Sequence, residues 1–172
     1  MPNVIMVRNE YPDEQALKNV IGYVLGCTLR GGYGIDPEMA LEQMRFVKQS
    51  FHKSSGVQLK HFIISFTNRE MIDLDFNDLL ALGFRMGQHL REYQLVYGIH
   101  LDSDHVHIHF AMNTVSFLDG HKFADGLLPF RRLCSVLSEL FPKSQVHFCQ
   151  TGPLSRENPY TPEQRGVFQI LT

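Results

Sequence analysis

Apolar residues recur at helical spacing in four stretches of the chain, with polar residues between them. The predicted helices follow Asp13, Asp36 and Asp75 and cover Leu127 to Leu140. An aspartate directly before an apolar stripe is typical of a helix start, because its side chain accepts hydrogen bonds from the amides of the first turn. The first helix should end near Gly26, and its stripe consists of Leu17, Val20, Ile21, Val24 and Leu25. The stripe of the third consists of Phe76, Leu79, Leu80, Gly83, Phe84, Gly87 and Leu90.

Shorter stretches alternate apolar and polar residues, or are apolar throughout, as β-strands are. The predicted strands are residues 4–7, 59–66, 94–101, 106–114 and 145–149. The connection between residues 101 and 106 is too short for a parallel crossover, so the two strands beside it form an antiparallel hairpin. A short hairpin extension is expected at 118–120, and the glycine-rich stretch 29–34 predicts a turn. This mixture predicts an α+β fold, with a central antiparallel β-sheet flanked by helices.

Length and composition are those of one compact domain. The chain has 172 residues, and 44% of them are hydrophobic, enough for a sizeable core. We expect one domain over residues 1–150 and, at 151–172, a tail or the start of a missing C-terminal region. No apolar run approaches the roughly 20 residues of a membrane-spanning helix, and the N-terminus lacks the pattern of a signal peptide. We therefore expect a cytoplasmic protein without membrane contact.

Cysteine content and charge narrow the chemistry. The three cysteines are an odd number without close pairing, which indicates free thiols and not a disulfide framework or a cysteine zinc site. The net charge of −2 counts against a strongly basic nucleic-acid-binding protein. Histidine is the informative excess, because four of the nine histidines fall between residues 100 and 109.

The histidine-rich segment predicts a metal site. Residues two apart in a strand face the same side, so His107 and His109 share one face. A four-residue loop from 102 to 105 would place His100 directly opposite His107, about 5 Å away on the same face. The three imidazoles would then converge on one point, as a divalent ion such as Zn²⁺ or Mn²⁺ requires, and Mg²⁺ is a further candidate cofactor. Coordination positions would stay open for substrate or water.

Two details of this site stay open from the residues alone. A two-residue loop would pair His105 with His100 and make His105 the rival third ligand. Asp102 lies two residues beyond His100, where its carboxylate can accept a hydrogen bond from a ligand imidazole and fix its tautomer. Arg30, in the glycine-rich stretch, is a candidate for a phosphate-binding groove.

The order of these residues resembles the relaxases, the mobilisation nucleases of plasmids and conjugative elements, and in particular their MOBP group. The third motif of that family reads His-x-Asp-x-x-x-(Pro)-His-u-His-u-u-u-Asn, where u is hydrophobic. The segment from His100 to Asn113 meets this pattern, with Val106 in place of the optional proline. The third motif is the most specific part of the resemblance.

Two further segments carry the resemblance. The family places a catalytic tyrosine near the N-terminus after an asparagine, and the segment from Asn19 to Tyr23 is similar to that motif. A middle motif with a serine on a strand is similar to the segment ending in Ser65. The resemblance implies that Tyr23 is the nucleophile and that Asp102 belongs to the catalytic set. It also implies that Ser65 and Asn113 bind substrate.

The resemblance also implies a reaction. Such enzymes are HUH endonucleases, with the metal site on an antiparallel sheet and the tyrosine helix beside it. The implied activity is nicking of one DNA strand at an origin of transfer, in which the tyrosine becomes linked to the 5′ phosphate. The implied partners are single-stranded DNA at that origin and accessory mobilisation proteins.

The position of Tyr23 agrees with such a role, since it lies off the apolar stripe of the first helix and can be exposed. Tyr33 in the glycine-rich stretch is the alternative nucleophile. Other functions compatible with the residues are an HUH-type replication initiator or transposase, and a non-cleaving binding module stabilised by a structural metal. A metal-dependent hydrolase of small molecules is a third.

Overall fold

A computed structural model describes residues 2–72, 74–101, 105–124 and 126–151. The strands are β1 Asn3–Val7, β2 Leu29–Tyr33, β3 Leu59–Phe66, β4 Leu95–His100, β5 Val106–Asn113 and β6 His147–Thr151. The helices are α1 Glu14–Val24, α2 Ala40–Ser50, α3 Asn68–Met71, α4 Phe76–Leu90 and α5 Leu128–Leu140, and a 3₁₀ turn at Pro37–Met39 leads into α2. Residues 152–172 lie outside the described part, so the expected tail does too.

The six strands form one sheet in the order β2-β4-β5-β3-β1-β6. All neighbours are antiparallel except β1 and β6, which run parallel. The predicted α+β class is therefore confirmed, and the parallel pair makes the sheet mixed. The antiparallel β4–β5 pair puts His107 and His109 on β5, near the middle of the sheet, where β3 and β4 flank it, and His100 at the end of β4.

One face of the sheet is apolar and carries the main core. Helices α4 and α5 cover it, and both turn an apolar stripe toward the strands. Phe62 of β3 stacks on Phe110 of β5 with ring centroids 4.5 Å apart, and Phe130 of α5 packs on Phe62 at 5.3 Å. Aromatic pairs of this kind contribute about 0.5–1.5 kcal/mol each beyond their buried area, so they hold the central strands rigidly.

The opposite face is covered over part of its area by α1 and α2. Their apolar residues pack on Leu59, Val96 and Ala111, which lie toward one end of the central strands. Residues at the other end of the same face are His100, His107 and His109. This face is therefore divided into a covered apolar half and a half that bears imidazoles.

Helix α1 comes unusually close to the sheet at Gly98 of β4. A Cβ atom added at Gly98 would overlap the carbonyl oxygen of Val24 in the last turn of α1. The absence of a side chain at this position lets the backbone of α1 rest on the strand. The guanidinium of Arg30 also donates to the carbonyl oxygen of Leu25, just past the helix end, over 3.0 Å. The C-terminal end of α1 is thus fixed over β4.

Most predicted elements are confirmed. Asp13 and Asp75 cap α1 and α4 through hydrogen bonds from the backbone amides of Ala16 and Asp78. The short hairpin extension is present as a bridge between residues 115 and 122. The three cysteines are free thiols, as expected. No helix in the described part of the chain is both long and apolar enough to cross a membrane.

Two local predictions are wrong. The glycine-rich stretch is not a turn, since it forms the edge strand β2, which pairs with β4. Its Gly31 leaves space for the ring of Tyr97 on β4, which a side chain at this position would overlap. In α4, Phe76 and Phe84 are exposed, since the helix is rotated so that Leu82 and Met86 reach the core instead.

Replacing Gly98 with Ala should lower the free energy of unfolding by about 1–3 kcal/mol, because the new methyl group collides with the backbone of α1. Gly22→Ala is the matched control. An added Cβ at this exposed helical site meets nothing within 4 Å, so Ala there should stabilise the helix by about 0.5–1 kcal/mol. Urea unfolding followed by circular dichroism measures both changes. Equal stabilities for the two variants would contradict the close approach of α1.

Candidate active site

The β4–β5 register decides which histidines meet. His100 is paired directly with His107, as the four-residue loop predicts, and the alternative pairing of His100 with His105 is wrong. His105 lies before the start of β5 and is exposed, with its ring centroid 6.3 Å from that of His107. The strand geometry therefore puts His100 on the same face as His107 and His109.

The three imidazoles are close neighbours. The ring centroids of His100 and His109 are 4.5 Å apart, and those of His107 and His109 are 6.1 Å apart. His109 is buried, whereas His100 and His107 are partly exposed, so the group opens to solvent on one side. Nε2 of His100 lies 3.4 Å from the carbonyl oxygen of Val24, which connects the group to the end of α1.

Tyr23 completes this arrangement from α1. It occupies the last full turn of the helix, off the buried stripe, and its side chain is partly exposed. Its ring centroid is 5.1 Å from that of His100 and 5.1 Å from that of His109. Since α1 is fixed over Gly98, the helix delivers the phenol directly to the imidazole group.

A fourth histidine belongs to the site, and the sequence interpretation did not include it. His61 of β3 is 2% exposed, and its Nε2 lies 3.3 Å from Nδ1 of His109. Its Nδ1 lies 3.3 Å from the hydroxyl oxygen of Tyr11. Burial, together with the nearby His100, lowers the pKa of His61 to about 3, so this imidazole is neutral near pH 7. Alternation in β3 already put His61 on the face of Ser65, but only the β3–β5 register brings it to His109.

Ser65 and Arg30 both lie on the histidine-bearing face. Ser65 is paired directly with His107 across β3 and β5 and is nearly buried. Arg30 is on the edge strand beside Gly98, at the rim of the face. Its guanidinium is 2.6 Å from a carboxylate oxygen of Glu38, so part of its positive charge is already compensated. Ser65 therefore lies on the strand next to His107, and Arg30 lies at the edge of the sheet, on the far side of β4.

Asn113, the other residue expected to bind substrate, lies inside the fold at the far end of β5 from His107. It is fully buried, and its amide nitrogen donates to the side-chain oxygen of Gln94 over 3.0 Å and approaches the carbonyl oxygen of Met44 at 3.4 Å. Its side-chain oxygen accepts from the amide of Val115 over 3.3 Å. These contacts tie β5 to α2 and to the start of β4.

Two other candidates are separated from the imidazoles. Tyr33, the alternative nucleophile, points to the opposite face, where its ring packs on Phe84 of α4 at 5.5 Å and contacts Gly87. Its side chain is therefore divided from His109 by the thickness of the sheet. Asp102 lies outside the described residues.

Another group of potential ligands lies at the opposite end of β4. In the part of the chain that the structure describes, Glu92, Asp119 and His121 bring one ligand atom each within 4.8 Å of the others. The nitrogens of His121 already have partners there, since Nδ1 is 2.6 Å from Asp119 and Nε2 is 2.7 Å from the hydroxyl of Tyr93. This network fixes the turn after β5 and is remote from Tyr23.

The donor chemistry of the site suits a divalent cation. Three imidazoles on one face, one of them supported from behind by His61, are borderline-soft nitrogen ligands of the kind that transition metals prefer. The partly exposed side leaves room for a further ligand. The same arrangement brings a phenol beside the imidazoles, and neither helix α4 nor α5 covers this face.

Comparison with known protein families identifies a family to which the chain is similar. Residues 23–144 match the family described as Relaxase: MobA/VirD2-like, nuclease domain. This range begins at Tyr23 and includes β3, β4 and β5 with all four histidines of the site. No curated protein and no solved structure matches the chain significantly.

The structural role of Asn113 can be tested by its removal. Asn113→Ala should lower the free energy of unfolding by about 1–3 kcal/mol, because buried hydrogen-bonding groups lose their partner. Asn19→Ala is a control on the exposed surface of α1, where the change should stay within about 0.5 kcal/mol. Chemical denaturation measures both. An unchanged stability in Asn113→Ala would show that its hydrogen bonds are not as described.

Proposed function

The chain belongs to the relaxase family as a MobA/VirD2-like nuclease domain, and we propose that it nicks one DNA strand at an origin of transfer through Tyr23. The biological role of this reaction is mobilisation of a plasmid or conjugative element. The observation that carries the proposal is the position of the Tyr23 ring, 5.1 Å from the rings of both His100 and His109. A tyrosine and an open imidazole group on one face are the components that phosphodiester transfer needs.

In the proposed reaction, the phenolic oxygen of Tyr23 attacks the scissile phosphorus. A bond forms between this oxygen and phosphorus, the bond from phosphorus to the 3′ oxygen breaks, and the phenolic proton is lost while the 3′ oxygen gains one. The products are a 5′-phosphotyrosine and a free 3′ hydroxyl, so the reverse attack can rejoin the strand. A neutral phenol is a weak nucleophile, with an ordinary pKa of about 10, and needs activation by its surroundings.

We propose that His100, His107 and His109 hold a divalent metal ion, Mn²⁺, Mg²⁺ or Zn²⁺, beside Tyr23. Such an ion supplies Lewis acidity toward the phosphate oxygens and positive charge against the charge that develops in the transition state. The shared face of the three rings and the open side of the group support this role. Asp102 is proposed as the carboxylate that orients a ligand imidazole.

The proposed substrate is single-stranded DNA laid across the half of the sheet that α1 and α2 leave uncovered. Ser65 lies beneath this surface and Arg30 at its rim, and both are proposed to contact the strand. Because the net charge is −2, attraction to phosphates depends on local basic groups and on the bound cation. Accessory mobilisation proteins at the origin are proposed partners, and a plasmid substrate implies that the enzyme acts in the cytoplasm.

Removal of a ligand histidine should remove the cation and the activity together. His107→Ala and His109→Ala should lose most Mn²⁺ binding and all nicking, since each leaves only two of the three proposed ligand imidazoles. His105→Ala is the matched control, and it should lose only part of the affinity, because His105 lies outside the paired strands. Titration of Mn²⁺ followed by EPR measures binding. Stoichiometric metal in the double variant of His107 and His109 would refute the ligand assignment.

Removal of the Tyr23 hydroxyl should abolish the covalent step alone. Tyr23→Phe should fold, bind metal and bind a single-stranded oligonucleotide in a salt-sensitive manner, because these depend on groups that it keeps. It should form no protein–DNA adduct on a denaturing gel. Tyr33→Phe, on the opposite face of the sheet, should form adduct at the rate of the parent.

The same gel separates the alternatives. An adduct that persists in Tyr23→Phe and disappears in Tyr33→Phe would move the nucleophile to β2. Metal-dependent cutting without an adduct in any variant would refute a tyrosine-linked mechanism. The oligonucleotide should come from the DNA that flanks the gene, since a relaxase acts at its own origin.

A further inference from the structure

His61 is a buried histidine that the proposed mechanism does not use. It lies on β3, one strand away from His109 on β5, and only 2% of it is exposed. Its two ring nitrogens face different groups: Nε2 is 3.3 Å from Nδ1 of His109, and Nδ1 is 3.3 Å from the hydroxyl oxygen of Tyr11. The three residues form a line of polar contacts that runs from the site toward the interior beside α1.

If His109 is a metal ligand, the donor and the acceptor of each hydrogen bond along this line are determined. A neutral imidazole has one nitrogen that donates and one that accepts, and a metal takes the accepting one. Nδ1 of His109 faces His61, so a cation bound by His109 is held through Nε2. Nδ1 of His109 then carries the hydrogen and donates to Nε2 of His61. His61 in turn carries its hydrogen on Nδ1 and donates to the oxygen of Tyr11.

We infer that His61 is a positioning residue, which fixes the tautomer and ring orientation of His109 through this hydrogen bond. The inference rests on the proposed function, because it takes His109 to be a metal ligand. Ligand histidines usually donate their second N–H to a carboxylate, a backbone carbonyl or water. An imidazole suits this location better than a carboxylate, since a charge in so buried a place is costly to desolvate.

The location of His61 also connects the ligand group to the nucleophile. Its ring meets that of Tyr23 edge-on with centroids 6.3 Å apart, while the His109 ring is 5.6 Å from it. A change in the tilt of the His61 ring would therefore alter its contacts with both His109 and Tyr23. One buried residue on β3 thus supports two side chains that arrive from different elements.

Variants at position 61 separate positioning from packing. In His61→Gln, the amide oxygen can take the place of Nε2 and accept from His109, whereas His61→Ala offers no acceptor. His61→Ala should bind Mn²⁺ about 10–100-fold more weakly than the parent, and His61→Gln should recover most of the loss. Tyr11→Phe should keep the contact to His109 and cause a smaller loss than His61→Ala.

A control for packing is available on the same strand. Leu59→Ala opens a cavity under α1 two residues away on the same face, but leaves the contact between His61 and His109 intact. It should lose thermal stability and keep the Mn²⁺ affinity of the parent. If Leu59→Ala loses as much affinity as His61→Ala, or if His61→Gln does not recover it, His61 acts only by filling space and the inference is overturned.

Nitrogen-15 NMR of the metal-free parent tests the inference independently of metal, DNA and cleavage. We expect the hydrogen of His109 on Nδ1 and that of His61 on Nδ1, with signals assigned by their loss in His109→Gln and His61→Gln. A hydrogen on Nε2 of His109 would overturn the assignment, even if His61→Ala fails to fold. If the parent shows the expected tautomers but neither binds Mn²⁺ nor forms an adduct, the proposed function fails while the orientation of His109 stands.

Discussion

The site depends on the contact between the last turn of α1 and Gly98 of β4. No side chain separates the backbone of Val24 from the strand, so the end of the helix lies directly on the sheet. Because Tyr23 precedes Val24, this contact sets the distance from the phenol to His100 and His109. The apolar stripe of α1, packed on the covered half of the same face, fixes the direction from which the helix arrives. A glycine and a strip of apolar packing thus position the Tyr23 ring, although Tyr23 belongs to neither of them.

One face of the sheet carries the main hydrophobic core, and the other carries the histidines and Tyr23. Under α4 and α5, stacked aromatic and aliphatic side chains form a continuous core that makes the central strands rigid. On the other face, burial is incomplete, and His100 and His107 are partly exposed at the end where only the last turn of α1 meets the strands. The polar side chains that are buried on this face have partners, as Asn113 has in Gln94 and His61 has in His109. The core packed against β4 and β5 on one face supports the imidazoles that these strands carry on the other, and such packing favours a preorganised site.

Strand order and helix docking bring together residues that are distant in the chain. Strand β5 supplies two imidazoles, β4 a third, β3 the buried His61 and α1 the phenol. Four elements contribute, so the site forms only when β3, β4 and β5 are paired and α1 is docked. The grouping of these side chains is therefore a property of the folded state, and an unfolded chain does not hold the four imidazoles and the phenol together.

The sequence by itself determined the capped helices, the β4–β5 hairpin and the common face of His107 and His109. These follow from backbone periodicity and short connections, which are properties of neighbouring residues. The off-stripe position of Tyr23 was determined in the same way. Only the tertiary structure decided that the glycine-rich stretch is an edge strand, that Asn113 is sealed inside, that α4 exposes Phe76 and Phe84, and that His61 lies behind His109. Strand order and helix docking decide such contacts. They are set by the burial of apolar surface from distant segments, which local periodicity does not encode.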